Sequence, residues 1–466
     1  MKNIKLIFLS LMVLLMTNSC DKSLDINTNP LVATSADPNA VLPYVFVQYS
    51  NRFTTEIGTR IMDVPQIFSA CFNSPRNGST SIFLTGNTWR MYYTQVLGNL
   101  VLVEADAEAA GESINNINAI AKIFKAKSYL ELSSIWGAVP FTEALDGANF
   151  PSPNFDSQET VLRGVVDILD EAMVLIDEMP AEGVFDVSVG DLIYEGDMTK
   201  WRRWANSLKL RTLMLLRNQV NVDGDITKAL SEPLIESNDQ VAMLRYFDTP
   251  AEANAFNRLL TAFYSDTNEN AEVYAPGQDL YDLLMGDPRF GLFIFDDVGG
   301  APDNGEFAEF DEAVISNNII RNDLPQIMFM PSEINFYRAE LALDGFGSDN
   351  AQEQFNLGLN NILSFWGRDI PGAGTTLTTE EIDMYIASLP AVNLQSVHEQ
   401  LYLEAFMRPI AAWNTVRRTN VPALSPPAAA SISTILKRFN YPPDEVAANK
   451  NTPVNLPTDT PQWFEN

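Results

Sequence analysis

Apolar residues recur at steps of three and four along much of the chain, which predicts amphipathic helices. In 114–136 the apolar face consists of Ile117, Ile120, Ala121, Phe124, Leu132 and Ile135. In 155–180 it consists of Leu162, Val165, Leu169, Met173 and Ile176. Asp156, three residues before Glu159, predicts a capping box at the start of that second helix, and Pro180 predicts its end. In 199–219, with Asp197 or Thr199 as N-cap, the face consists of Trp201, Trp204, Ala205, Leu208, Thr212 and Leu215.

Residues 331–367 predict two helices joined by a tight turn. Ser332 is a candidate N-cap of the first helix, and Gly345 and Gly347 allow the reversal. The apolar residues are Ile334, Tyr337, Leu341 and Ala342 in the first helix, and Phe355, Leu359, Ile362 and Phe365 in the second. A helix pair of this length resembles a tetratricopeptide unit, which buries its apolar face by stacking on neighbouring pairs.

Strand signals are few and short, the clearest being 241–247. Long stretches rich in Asn, Gly, Pro, Ser and Asp do not follow a helical pattern: about 64–88, 137–157, 180–198, 295–325, 367–377 and 420–466. Long loops in compact proteins tend to be functional. We therefore predict a mainly α fold in which helix pairs form a scaffold and long irregular loops decorate it.

The N-terminus has the three parts of a bacterial export signal. Lys2 and Lys5 precede the apolar stretch 6–16, which is too short to span a bilayer as a helix, and small or polar residues lead to Cys20. A lipoprotein signal explains a cysteine at this place, because its thiol and freed amine accept acyl chains that hold a protein stably to a membrane. Thr17 stands where such signals usually carry Leu, and an ordinary secretory peptide with a chance cysteine is the alternative.

This interpretation divides the chain into three parts. Residues 1–19 are a cleaved lipoprotein signal peptide, 20–40 are a lipidated polar tether, and 41–466 form a single α-helical domain. No later stretch of the sequence is apolar for long enough to span a membrane.

Charge and residue counts narrow the possible functions. The formal net charge is −30, or −32 after loss of Lys2 and Lys5, which disfavours nucleic acid and acidic polysaccharides as partners. With Cys20 acylated, Cys71 has no partner for an internal disulfide. A single histidine, His398, lies in an amphipathic helical pattern, which favours a structural role over a catalytic one. We therefore expect no catalytic site, metal site or cofactor.

Several segments, taken in order, resemble the SusD/RagB family of outer-membrane lipoproteins over essentially the whole chain that follows the signal. They begin with CDKSLDINTNP at Cys20 and AKIFKAKSYLELSSIWGAVPFTEAL at 121–145. The most telling is DLIYEGDMTKWRRWANSLKLRTLMLLR, with Tyr194, Gly196, Asp197, Trp201, Asn206, Leu210 and Arg211 in the family's spacing. GDPRF at 286–290, MPSEINFYRAELALDG at 330–345, WNTVRRTNVP at 413–422 and RFNYPPDEVAANK at 438–450 continue the order.

The resemblance implies a specific architecture and role. Members of the family have four tetratricopeptide-like helix pairs in a right-handed scaffold. They face the cell exterior on the outer membrane, as lids over a SusC-like TonB-dependent transporter, and they pass oligosaccharides, or in some members peptides, to it. They are not enzymes, and their ligand-binding positions vary between members.

Candidate ligand contacts are therefore chosen by composition and loop position. The first group, in 71–93, mixes aromatic rings with amide and guanidinium groups: Phe72, Asn73, Arg76, Asn77, Phe83, Asn87 and Trp89. The second, in 263–274, contains Tyr264, Asn268, Asn270 and Tyr274. Idle solvated loops are the alternative for both groups. In contrast, Trp136, Trp201, Trp204 and Trp366 are predicted core residues, and Asn206 and Arg211 are predicted structural residues.

Three functions remain open from the sequence. The first is a nutrient-binding lid for neutral glycans, or for peptides as second choice. The second is a tetratricopeptide scaffold that binds protein partners and no nutrient. The third is a glycoside hydrolase, although 60 acidic residues make candidate carboxylate pairs uninformative.

Overall fold

The structure is a computed structural model that describes residues 37–52, 59–69, 75–110, 114–182, 184–256, 275–295, 299–304, 312–372 and 376–465. Cys20, Cys71, the predicted signal peptide and the predicted tether up to residue 36 lie outside these ranges. Residues 38–466 form one compact unit. The first described helix begins at Pro38, so the last three residues assigned to the tether belong to this helix.

The described part of the chain is mainly helical, as the sequence predicts. Its helices are α1 (Pro38–Arg52), α2 (Ile82–Arg90), α3 (Gly98–Ala110), α4 (Asn115–Trp136), α5 (Gln158–Leu175), α6 (Met198–Leu216), α7 (Asp223–Ser231), α8 (Gln278–Leu284), α9 (Phe290–Phe293), α10 (Pro331–Leu343), α11 (Ala351–Ser364), α12 (Thr379–Ser388), α13 (Leu394–Glu404), α14 (Pro409–Thr419) and α15 (Pro443–Ala448). A π-helical segment, Met91–Leu97, joins α2 to α3, and another, Phe365–Asp369, follows α11.

The apolar stripes predicted for α4, α5 and α6 are all buried. α4 is buried well beyond its stripe, since Lys127, Ser128 and Glu131 on its other faces are also inside. It ends at Gly137, whose positive φ of 84° suits glycine and whose N–H bonds to the Ser133 carbonyl oxygen. The helix is therefore central to the fold rather than one-sided at its surface.

Three predicted helix boundaries can be compared with the structure. Asp197 caps α6 as expected, accepting a hydrogen bond from the Lys200 N–H. The predicted capping box of α5 is wrong, because Ser157 is its N-cap and Asp156 binds another segment. Ser332 is not a cap either: α10 begins at Pro331, and the Ser332 hydroxyl donates to Glu404 instead.

The helices pack as successive pairs in two groups. In the first, α4 packs on α5 and α5 on α6, with α3 and α7 at the sides. In the second, α10 packs on α11 and α13, and α13 on α14. The turn between α10 and α11 contains Gly345 and Gly347 at φ of 76° and 75°, as predicted. Contacts between α4 and α14 and between α6 and α10 join the two groups.

Strands are minor in this fold. β1 (Ala242–Leu244) pairs antiparallel with β4 (Gln326–Phe329), with Ala242 opposite Phe329 and a register shift after Ala242. β2 (Ile294–Phe295) pairs antiparallel with β3 (Val314–Ile315). The strand predicted at 241–247 is thus confirmed in its central three residues.

The predicted core tryptophans Trp136, Trp201, Trp204 and Trp366 are all buried. Trp201 also donates its indole N–H to Asp191 at 2.6 Å. Asn206 is structural as predicted, since its amide donates to the carbonyl oxygens of Ala229, Glu232 and Pro233 and fixes the segment that follows α7.

Buried charges cross the interface between the two helix groups. Arg211 of α6 binds Glu333 of α10 through two nitrogens, each 2.6 Å from a carboxylate oxygen. Arg408 also binds Glu333 at 2.8 Å and contacts Glu404 of α13. On α4, Lys127 binds Glu131 at 2.6 Å and the Tyr49 hydroxyl at 2.5 Å. We call this set the interior ion cluster: Lys127, Glu131, Arg211, Glu333, Glu404 and Arg408.

Burial and pairing shift the pKa values in this cluster in different directions. Burial alone would raise the pKa of Glu333, but the charges of Arg211 and Arg408 lower it to about 2. Burial raises the pKa of Glu404 to about 7, because its attraction to Arg408 only partly offsets the loss of solvent. Burial lowers the pKa of Lys127 to about 8, against the opposing charge of Glu131. The cluster therefore depends on pairing to keep buried groups charged.

His398 occupies a structural position on α13. It is buried, and its Nε2 lies 3.5 Å from a Glu340 carboxylate oxygen that belongs to a second buried pair. Arg418 of α14 binds both oxygens of Glu340 at 2.5 and 2.7 Å. Within the described ranges, no group of His, Cys, Asp and Glu side chains is arranged to hold a metal ion.

Candidate functional site

A pocket of about 390 Å³ lies beside α2, where three distant segments meet. α2 and the π-helical turn after it form one side, the irregular stretch after α4 forms the second, and α15 with the residue before it forms the third. The lining residues are Gly86, Trp89, Arg90, Tyr93, Thr94, Pro140, Ala144, Leu145, Pro153, Pro442, Asp444, Glu445 and Ala448.

The aromatic floor of the pocket comes from α2 and its π-helical extension. Trp89 and Tyr93 are four residues apart, and their ring centroids lie 4.7 Å apart. Trp89 also packs against Trp136, with ring centroids 5.0 Å apart and an interplanar angle of 88°. It packs edge-on against Tyr441 and with nearly parallel planes against Phe155. Because Trp89 is only 9% exposed, it presents a rigid part of its ring to the pocket rather than a mobile side chain.

Tyr93 connects the floor to the second wall. Its hydroxyl donates to the Pro140 carbonyl oxygen at 2.7 Å. Burial raises the pKa of Tyr93, with nearby phenols and carboxylates adding to the shift, so the side chain remains a neutral phenol. The hydroxyl is therefore engaged by the protein, and the ring is the part of Tyr93 that serves the pocket.

The second wall is held by Asp156, the residue that the sequence assigned to a helix cap. Its carboxylate accepts the backbone N–H groups of Phe141 and Thr142 at 3.1 and 2.8 Å and also the Thr142 hydroxyl. Backbone hydrogen bonds between Val139 and Asp156 close the same loop. An irregular segment thereby gains a defined shape without a helix or strand.

The third wall is tied to the second by long-range hydrogen bonds. The Tyr441 hydroxyl donates to the Ala138 carbonyl oxygen at 2.8 Å. The side-chain amides of Asn449 and Asn451 donate to the carbonyl oxygens of Pro153 and Ser152 at 3.0 and 2.7 Å. The pocket is therefore largely preformed, because its second and third walls are fixed to one another.

The polar groups at the mouth of the pocket are one cation and two carboxylates. Arg90 and Asp444 are exposed and Glu445 is partly exposed. An aromatic floor with planar hydrogen-bonding groups at the rim suits a polyhydroxylated ligand, which offers both C–H faces and hydroxyl groups. The excess of carboxylates disfavours acidic ligands at this site.

The predicted ligand residues are distributed unevenly in the structure. Phe72, Asn73, Tyr264, Asn268, Asn270 and Tyr274 lie outside the described residues. Of the five described candidates, Trp89 lines the pocket, and Arg76, Asn77, Phe83 and Asn87 are not among its lining residues. Asn77 helps to dock its loop on the C-terminal segment, since its carbonyl oxygen accepts from Ser431. Ligand contact by any of these eleven candidates stays a prediction.

The stretch 64–88 was predicted to be irregular, and this is wrong for residues 82–88. They belong to α2, whose N-cap Ser81 accepts from the Phe83 N–H at 3.2 Å. Phe83 and Asn87 therefore lie on a helix rather than a loop. The spacing of Gly86, Trp89 and Tyr93 gives the one-sided helical signal that could have identified this wall.

A family model described as starch-binding and associating with the outer membrane matches residues 41–442. The chain belongs to the SusD-like family. Proteins of this family bind substrates and are not catalysts, so membership supports a role in nutrient or glycan binding. Homologues in the family are described as outer-membrane proteins.

Solved SusD-like structures share the fold. A SusD-like protein of Bacteroidetes AC2a has a TM-score of 0.79 at 20% identity, covering 92% of this chain and all of its own. A chitin-binding protein has a TM-score of 0.77 at 21% identity, with coverage of 92% and 100%. A chitin-binding SusD homologue from Flavobacterium johnsoniae has a TM-score of 0.71 at 18% identity, with coverage of 91% and 98%.

No curated protein matches the chain. In the parts of the chain that the structure describes, no helix is long and apolar enough to cross a membrane.

Proposed function

We propose that this SusD-like protein is a cell-surface lipoprotein that binds oligosaccharides in the pocket beside α2. In this proposal Cys20 carries the lipid anchor on the exterior of the outer membrane, and a SusC-like TonB-dependent transporter receives the ligand. The observation that carries the proposal is the preformed pocket with Trp89 and Tyr93 as its floor. The family's description and the chitin-binding relatives favour a glycan over a peptide.

The carboxylates at the pocket support binding without turnover. Glycoside hydrolysis uses two carboxyl groups on opposite sides of the scissile bond. Asp444 and Glu445 are consecutive residues in the first turn of α15 and therefore enter the pocket from the same wall. No histidine or cysteine is among the described residues that line it.

Gly86 allows the pocket to be blocked without damage to the packing. A Cβ atom built on Gly86 meets nothing within 4 Å, so a leucine side chain there has room to enter the pocket. Replacing a helical glycine by leucine also favours the helix, by about 0.5–1 kcal/mol. Gly86→Leu should therefore leave the protein folded and at least as stable while reducing ligand affinity.

The test uses a soluble form without residues 1–19 and with Cys20→Ser, titrated with neutral chitin and starch oligosaccharides, uronate oligosaccharides and peptides. We expect a neutral oligosaccharide to bind without turnover and Gly86→Leu to weaken its binding at least about tenfold, or about 1.4 kcal/mol. Gly224→Leu is the matched control, since Gly224 is also helical, open and remote from the pocket.

Each other outcome rejects a defined part of the proposal. If only peptides bind, the ligand is a peptide rather than a glycan, and the proposed role in delivering it to a transporter still stands. If the affinity is unchanged in Gly86→Leu, the ligand binds at a surface other than this pocket. Release of shorter sugars would point to a hydrolase, and no binding of any nutrient would favour the protein-interaction scaffold.

A further inference from the structure

The second and third walls of the pocket beside α2 are built mainly from aliphatic residues. Trp89 and Tyr93 form the aromatic floor of the same pocket. A ligand that lies on this floor therefore meets aliphatic surface at both of the other walls. The proline, alanine and leucine residues of these two walls are Pro140, Ala144, Leu145, Pro153, Pro442 and Ala448.

These walls offer few hydrogen-bonding groups to a ligand. Proline has no N–H group to donate. The Pro140 carbonyl oxygen already accepts a hydrogen bond from the Tyr93 hydroxyl. The Pro153 carbonyl oxygen already accepts one from the Asn449 amide. A sugar hydroxyl buried against these walls would lose its hydrogen bonds to water without replacement, whereas a methyl group there gains by leaving water.

Leu145 has an unusual backbone conformation for its residue type. Its φ is 66°, in the left-handed region that glycine and asparagine adopt more readily. On one side of it, Glu143 accepts a hydrogen bond from the Asn154 N–H at 2.8 Å. On the other side, Asp146 accepts one from the Asn149 N–H at 3.2 Å. The loop thus maintains strain at a residue that lines the pocket, and such strain clusters at functional sites.

The polar side chains that are open to a ligand lie at the mouth of the pocket. The hydroxyls of Tyr93 and Thr94 donate to carbonyl oxygens of the protein. The remaining polar side chains of the lining are Arg90 as a donor, with Asp444 and Glu445 as acceptors. An N-acetyl group matches this division, because it combines a methyl group for the aliphatic walls with a carbonyl acceptor and an N–H donor for the mouth.

We propose that the pocket selects oligosaccharides whose sugars carry an N-acetyl group, and that Leu145 is a specificity-determining residue for this group. The inference rests on the proposed function, since it names the class of glycan that the same pocket binds. A difference of one methylene-sized group in an apolar pocket changes affinity about 10- to 200-fold. An N-acetyl sugar should therefore bind at least about tenfold more tightly than the same sugar with a hydroxyl group in that position.

The first experiment compares matched oligosaccharides that differ only in carrying an acetamido or a hydroxyl group. The soluble form without residues 1–19 and with Cys20→Ser is titrated calorimetrically with two such pairs. N-acetylglucosamine and glucose oligomers form one pair, and N-acetylgalactosamine and galactose oligomers form the other, with the same linkage within each pair. We expect the preference of at least about tenfold in one pair or both.

This comparison needs no further variant, so it does not depend on how the loop tolerates substitution. Equal or reversed affinities within both pairs, with binding still weakened by Gly86→Leu, would overturn the inference and leave the proposed function intact. No binding of either N-acetyl oligomer would also overturn the inference. Binding of another glycan that Gly86→Leu weakens would again leave the proposed function standing.

The second experiment tests Leu145 itself with Leu145→Asn. Asparagine is similar in size and suits the left-handed conformation, so thermal unfolding should be unchanged or shift to higher temperature. The preference for the N-acetyl oligomer should fall to about threefold or less, while the affinity for its hydroxyl counterpart changes less than about twofold.

Glu195→Asn is the matched control for the backbone effect. Glu195 also has a positive φ, 54°, and it does not line the pocket, so this variant should keep the full preference. A preference that Leu145→Asn leaves unchanged would overturn the role of Leu145. An equal loss of affinity for both members of a pair in Leu145→Asn would overturn it as well, because Leu145 would then support binding without selecting the N-acetyl group.

Discussion

Helix α4 and the pocket that begins just beyond its end differ in how their residues are brought together. In α4, residues three and four positions apart share a buried face, so local periodicity determines which side chains enter the core. In the pocket, hydrogen bonds connect residues from distant parts of the chain, as between Tyr441 and Ala138, which are 303 positions apart. Short-range periodicity in the sequence therefore determines the helical scaffold, whereas the binding surface forms only when distant segments meet in the completed fold.

The two regions also differ in how they tolerate change. The interior ion cluster contains charges that are removed from solvent, and each depends on a particular partner. At the pocket mouth, in contrast, Arg90 and Asp444 are exposed to solvent and Glu445 is partly exposed. We therefore expect substitutions in the cluster to alter stability and substitutions at the mouth to alter binding.

The largest expected effect is the loss of Glu333. Glu333→Gln leaves Arg211 and Arg408 buried without their shared carboxylate, and removing one partner of a buried ion pair costs about 3–5 kcal/mol. The free energy of unfolding from urea denaturation should fall by that amount. Glu159→Gln, which breaks the exposed pair with Arg163, should change it by less than about 1 kcal/mol.

An equal effect of these two substitutions would contradict the contrast between buried and exposed charges. Glycan binding by the folded fraction of Glu333→Gln should remain unchanged, because Glu333 does not line the pocket. A loss of affinity in that fraction would show that the interior and the pocket are coupled.

The second-largest expected effect is a loss of folding stability in acid. Charges of Arg211 and Arg408 outweigh burial and lower the pKa of Glu333 to about 2, and Arg418 and His398 likewise lower that of Glu340 to about 2. Because these pKa values lie below the unfolded value of about 4.5, the two groups stabilise the fold above pH 4.5 and lose that contribution as the pH falls toward 2. Each could contribute roughly 3 kcal/mol.

Urea denaturation between pH 6 and pH 3 measures this dependence. Glu340→Gln should be less stable at pH 6 and show a smaller decline with acid, whereas Glu159→Gln should follow the parent curve. Glu404 has the opposite sign: its raised pKa of about 7 means that stability falls as the pH rises from about 4.5 to 7. An unchanged slope in Glu340→Gln would show that its pairing with Arg418 does not control acid stability.

These contrasts explain which features the sequence could predict. The stripes of α4, α5 and α6, the core tryptophans, the Asp197 cap and the glycine turn after α10 depend on neighbours within a few residues, and all are confirmed. Ser157 and Asp156 show the limit of local reasoning. Either side chain suits an N-cap, but the Asp156 carboxylate instead accepts hydrogen bonds from backbone N–H groups 14 and 15 positions earlier.

The pocket could be anticipated only in part for the same reason. Trp89 was chosen by composition, but Tyr93 gains its place through the π-helical turn after α2. Leu145 enters from a loop and Asp444 and Glu445 enter from α15, and long-range hydrogen bonds tie these two segments together. No periodicity in the sequence connects these segments, so their meeting becomes visible once the chain is folded.

The smallest expected effect concerns two residues of α2, Phe83 and Arg90. The sequence and the structure differ on which of them contacts the ligand. The sequence favours Phe83 as a ligand contact, and this side chain is 71% exposed outside the pocket lining. Arg90 is not among the candidates chosen from the sequence, and it lines the pocket. Since a hydrogen bond contributes about 0.5–1.5 kcal/mol, Arg90→Ala should weaken glycan binding roughly two- to tenfold.

Phe83→Ala should change the affinity less than about twofold, since it removes an exposed ring that contributes to none of the three pocket walls. Isothermal titration of both variants against the same oligosaccharide measures the difference, and thermal unfolding checks that each is folded. If Phe83→Ala had the larger effect, the ligand would lie along the outer face of α2, and the composition of the segment would have been a better guide than the cavity. If Arg90→Ala has the larger effect, the shape made by the distant segments determines where the ligand binds.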